Sequence, residues 1–159
     1  MLFSAAVWWT HRERLKLDLY KRRFDIYSRT LDLYHAFSDW TPSETEKNSM
    51  SLKNPSELRK AQQAFIKASR EAQFLFDDPE LQKHIAQIRD DFFHLIIYRR
   101  DIAPRLKDPK EIAENYEKLF IEPLHRIENS LNPDSSNSLE EKMSRYLVYK
   151  RRRFSVLPR

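Results

Sequence analysis

Glycine is absent from this chain of 159 residues, and so is cysteine. Tight hairpin turns depend on residues that accept positive φ, chiefly glycine, so a glycine-free chain is poorly suited to a β-sheet. The same gap removes phosphate-cradling glycine loops and the strained G-x-S-x-G nucleophile turn. Without cysteine there are no disulfides, no Cys-ligated zinc, no iron–sulfur cluster and no thiol chemistry, which fits a reducing compartment.

What is present suits helices. Charged residues make up 33% of the chain, aromatic residues 13%, and the formal net charge is +5. A basic balance favours acidic partners such as anionic lipid or nucleic acid but says nothing of fold. The length fits one domain with a real core, since single cores commonly run to about 100–200 residues.

One start signal occurs three times, at Asn54-Pro55, Asp78-Pro79 and Asp108-Pro109, each followed by an early Glu. An Asn or Asp oxygen takes an orphan backbone N–H there, and proline gives up nothing at the first helical position. Behind these caps run stripes in steps of three and four: Leu58, Ala61, Phe65, Ala68, Ala72, Leu75; then Leu81, Ile85, Ile88, Phe92, Leu95; then Ile112, Tyr116, Leu119, Ile127. The small residues of the first stripe imply a close neighbour. "RRDIAP" should interrupt the second helix after Tyr98, and Pro123 should kink or divide the third. Ser138 caps a short final helix bearing Leu139, Met143, Tyr146 and Leu147. "TPSETEKNSMSLK" and "NPDSSNS" read as loops.

The opening helix bears two stripes: Leu17, Tyr20, Phe24, Tyr27, Leu31 and Tyr34, and, every seven residues, Leu19, Ile26, Leu33 and Trp40. At 100° per residue they lie roughly 120° apart, so one neighbour cannot cover both. The expected fold is all α: a bundle of four long helices plus a short C-terminal one, with helix one touching at least two neighbours or a helix and another chain.

Residues 1–10, "MLFSAAVWWT", are apolar except for Ser4 and Thr10. At about 1.5 Å per residue they reach roughly half of a 30 Å hydrocarbon core, too short to cross it. Trp8 and Trp9 followed by His11, Arg12, Arg14 and Lys16 match the interfacial end of a membrane helix, an aromatic belt and then cytoplasmic positive charge. A signal peptide has the reverse order. The expected organisation is therefore 1–10 as the apolar end of a truncated membrane helix, 11–150 as the bundle and 151–159 as a basic tail.

"LKLDLYKRRFDIY", with "EAQFLFDD" downstream, resembles a widespread group of uncharacterised bacterial proteins that carry one N-terminal transmembrane helix, a basic flank and a motif of the form L-x-L-x-L-[FY]-x-[KR]-R-[FY]-x-[IV]-[FY]. Here the motif falls on Leu15, Leu17, Leu19, Tyr20, Arg22, Arg23, Phe24, Ile26 and Tyr27, and the later match on Ala72, Phe74, Leu75, Phe76 and Asp77. The resemblance implies a cytoplasmic helical domain tethered to the inner membrane, and it implies no reaction.

Two side-chain spacings bear on chemistry. Asp91-x-x-His94 and Glu122-x-x-His125 match the acid-x-x-His spacing of di-metal bundles, but on a helical wheel both histidines fall roughly 160° from their apolar stripes and face water. His35 and His84 read as partly buried, hydrogen-bonded histidines, and Asp77 and Asp78 as a helix cap. No catalytic, cofactor or metal residue is expected. Candidate lipid or partner contacts are Trp8, Trp9, Arg12, Arg14, Arg22, Arg23 and the tail residues Lys150, Arg151, Arg152 and Arg153. The expected protein is a non-catalytic membrane-proximal scaffold or interaction module. Helix one could meet a protein partner or a second copy, and the alternative is a soluble nucleic-acid binder using the tail.

Overall fold

The computed structural model describes residues 2–40 and 55–147, with side chains from Val7 and Ser56 onward in these two stretches. The expected caps at Asn54, the 41–53 loop and the Lys150–Arg153 tail lie outside the described residues. Six α-helices occur in order: α1 (Leu2–Trp40), α2 (Pro55–Leu75), α3 (Pro79–Ile97), α4 (Pro109–Tyr116), α5 (Glu122–Leu131) and α6 (Leu139–Leu147). Among the described residues there is no strand.

The caps form as their chemistry requires. Asp78 accepts from the Glu80 and Leu81 amides at 3.1 and 3.2 Å, and Asp108 accepts from the Lys110 amide at 3.0 Å. Ser138 takes the Glu141 amide at 3.1 Å and opens α6. Asp78 also pairs with Arg145 of α6, so one carboxylate both starts α3 and ties the last helix to it.

Two prolines reshape the pattern. A π-helical turn at Tyr98–Ile102 closes with the Ala103 amide donating to the Tyr98 carbonyl, just before Pro104; another at Glu117–Ile121 closes with the Glu122 amide donating to the Glu117 carbonyl, just before Pro123. A proline ring clashes with the carbonyl four residues back, and a wider turn moves that carbonyl aside. The α-helix thus ends at Ile97 as expected, although "RRD" stays helical in the wide turn and the chain becomes extended only at Leu106. The region before Pro123 is divided as expected, the two halves of the fourth long helix, α4 and α5, meeting through the second wide turn. Its extra residue also shifts the apolar face. Phe120 and Pro123 are buried in line with Ile127, whereas the expected Leu119 is only half-buried and Ile112 and Tyr116 are 40% and 43% exposed.

The α2 and α3 stripes pack as expected, with Leu58, Phe65, Ala68, Ala72 and Leu75 and all five α3 positions buried. On α1 the buried seam is Ile26, Thr30, Leu33, Phe37 and Trp40, facing α2 and α3, while half-buried Tyr27 and Tyr34 meet Glu140 and Glu128 of α6 and α5. Two faces thus have separate neighbours. T-shaped ring contacts join Phe65 to Phe92 and Phe92 to Phe37, each at 6.2 Å between centroids, and Phe37 reaches Phe120 at 6.5 Å. Such geometry adds about 0.5–1.5 kcal/mol per pair beyond burial.

Helix α3 is packed on several sides, so its buried sector is wide enough to include Asp91, 1% exposed. The Arg126 guanidinium of α5 grips that carboxylate, with Nη2 at 2.7 Å and Nε at 3.1–3.2 Å, and Gln87 Nε2 adds a third donor at 3.1 Å. The carboxylate in turn holds the Arg126 pKa above its ordinary value. Replacing Arg126 with Ala strands a buried charge and should destabilise the bundle by about 3 kcal/mol, read from the urea midpoint, while an Asp91→Leu/Arg126→Leu double variant should recover most of that loss.

His84 is half-buried, but its Nε2 has no hydrogen-bond partner among the described residues, in contrast to the bonded histidine expected. Burial first, and the Lys142 charge second, push its pKa from 6.5 to about 4. Between those values the unfolded chain binds a proton that the folded one refuses, so stability falls as pH drops from 6.5 towards 4 and changes no further below. Because the residue keeps partial contact with solvent, the loss should be on the order of 1 kcal/mol. Denaturation of wild type and His84→Gln at neutral and acid pH checks it: the variant should lose less stability over that interval.

Candidate functional site

Helix α2 runs back along α1 and ends beside Arg23, whose Nε donates to the Leu75 carbonyl at 3.0 Å. Helix α6 ends at the same level, with Tyr146 under the Arg23 guanidinium at 5.1 Å and Phe76 at 5.8 Å. From Val7 to Arg22, α1 then extends about 24 Å beyond these attachments. Both of its apolar stripes continue past the bundle. The seam through Ile26 goes on as Leu19, Leu15 and Trp8, which are 41%, 62% and 63% exposed, and the other stripe, exposed already at Phe24 on the bundle side of Arg23, goes on as Leu17. Val7 and Trp9 are exposed as well.

Basic residues interleave with this apolar surface. Arg12 stacks over the Trp8 ring at 5.4 Å, Lys16 pairs with Glu13 at 2.7 Å, and Arg14 and Arg22 are exposed. Of the proposed contact residues, Trp8, Trp9, Arg12, Arg14 and Arg22 share the projecting segment. Arg23 does not belong with them: its guanidinium is spent inside the molecule on Leu75, Phe76 and Tyr146, because α2 and α6 both end on it. Lys150, Arg151, Arg152 and Arg153 lie outside the described residues. No helix among the described residues is long and apolar enough to cross a membrane.

Arg99 and Arg100 are adjacent in sequence, yet the two arginines part company. Arg100 is exposed and pairs with Asp101 at 2.7 Å. Arg99 enters a box of rings, 4.8 Å from Phe120, 5.2 Å from Phe37 and 5.8 Å from Trp40, and burial lowers its pKa. Only the wide turn after Ile97 aims it inward, and no sequence spacing announces that.

The metal constellation is not assembled. His94 and His125 are exposed, as the wheel indicated, Asp91 is committed to Arg126, and among the described residues no three metal-ligating side chains cluster. His35 is exposed beside Tyr34, not partly buried as expected. It lies on a cleft of about 500 Å³ between α1 and α2, where Arg29 pairs with Asp32 and Lys60 with Glu57. Comparison with protein-family models, curated proteins and solved structures gave no match.

Replacing Arg23 with Ala should loosen the α6 end by removing two cation–π contacts and a carbonyl partner, worth about 2 kcal/mol together. Faster amide exchange in α6 than in α3 checks this; uniform exchange in both would refute it.

Proposed function

We propose that this protein is a non-catalytic helical scaffold or interaction module held at the cytoplasmic face of a membrane by the projecting end of α1. The observation that carries it is the continuation of two apolar stripes of α1 beyond the bundle onto exposed Trp8, Leu15, Leu17 and Leu19. Exposed apolar surface of this extent normally marks an interaction site. The tryptophans with arginines one turn behind suit a membrane interface, and the leucines nearer the bundle suit a protein partner. The resemblance of Leu15–Tyr27 to the membrane-tethered bacterial group supports the same reading.

Fractionation of bacterial cells expressing the full chain tests it. Wild type should sediment with membranes, and Trp8→Ser/Trp9→Ser should shift most of the protein to the supernatant without altering its melting temperature. Wild type found wholly in the supernatant, with or without salt, would defeat the proposal.

A further inference from the structure

The projecting segment does not have one apolar face. On a helical wheel Arg12 falls at roughly 140°, between Trp8 near 100° and Trp9 near 200°, with Leu17 on another side near 280°. A helix lying flat in the membrane plane needs its charges on one side and its apolar residues on the other, which this order denies. A helix entering by its tip needs apolar residues all round, then a collar of charge. That is the order of Val7, Trp8 and Trp9, followed by Arg12 and Arg14.

Charge selects the occupant. Residues 12–22 carry Arg12, Arg14, Lys16, Lys21 and Arg22 against Glu13 and Asp18. A second copy would bring an identical cationic surface against this one, whereas an anionic bilayer complements it. Resting on the membrane reading above, we propose that α1 meets anionic phospholipid end-on, with Trp8 and Trp9 at the interface and Arg12 and Arg14 at the lipid phosphates. Arg12 is already placed over the Trp8 ring.

End-on contact predicts a gradient. Arg12 and Arg14 follow the tryptophan pair by about 5–8 Å of helix, but Lys21 and Arg22 follow by about 19–20 Å. Screening acts over about 8 Å at physiological salt, so the distal pair feels little of the surface potential. Each basic side chain near an anionic surface contributes about fivefold in affinity.

The test is sedimentation of the full chain with vesicles of phosphatidylcholine alone and of equimolar phosphatidylcholine and phosphatidylglycerol. The anionic vesicles should bind more tightly. Arg12→Gln/Arg14→Gln should weaken that binding about 25-fold, and Lys21→Gln/Arg22→Gln, which removes the same charge, less than fivefold. All four positions are exposed and lie outside the bundle, and matching circular dichroism melts verify folding. Equal losses from the two pairs would overturn the end-on placement. Equal binding to both vesicles would overturn the lipid selectivity and leave membrane attachment standing, whereas no binding to either would overturn both.

Discussion

Phe37 holds the bundle together. It sits 2% exposed on α1, meets Phe92 of α3 and Phe120 of the wide turn, and lies under Arg99. Through Phe92 it is joined to Phe65 of α2, so one line of rings touches every long helix. Close packing leaves such a node little freedom, because a change in one ring must be taken up by its neighbours. The seam of α1 is consequently fixed in rotation, and its remaining apolar residues are committed to wherever the helix points them.

That constraint explains why α1 presents surface where it outruns its neighbours. A helix turns by a constant angle per residue, so the phase set at Phe37 and Ile26 is propagated to Leu19 and Leu15 whether or not anything covers them. Arg23 marks the transition. On the bundle side its surroundings are aromatic and its guanidinium is used internally; on the other side the same stripes are exposed.

Much of the architecture was legible because it is local. Proline after Asp, three-and-four spacing and the absence of glycine are short-range facts, and they yield the helices, α2 and α3 cores and the two-sided α1. The rest depends on contacts between distant residues. Asp91 looked like half of a metal motif with His94, but its partner is Arg126, 35 positions away on another helix. Arg23 read as a lipid or partner contact, and Arg99 carried no signal at all, yet each is claimed by aromatic rings from other segments. Pro104 and Pro123 signalled a break and a division, and both occur, but the sequence did not show that each takes the form of a wide turn, the second of which puts Phe120 in the place expected of Leu119. Of the candidate site, the sequence pointed to the projecting residues because their composition is local, and it could not separate Arg22 from Arg23, adjacent in sequence and opposite in use.

The two wide turns have a geometric consequence. A π turn inserts one extra residue into a helix, so the side chains beyond it face a different direction from those an unbroken helix would present. Both turns border the Tyr98, Tyr116 and Phe120 ring cluster, where Tyr116 stacks on Phe120 at 5.2 Å. At the first turn Arg99 meets Phe37, Trp40 and Phe120, and beyond the second the fourth helix resumes with Pro123 and Ile127 buried in line with Phe120. In a chain without glycine the α-helical phase is thus reset at two places only among the described residues, each just before a proline and both against one cluster of rings.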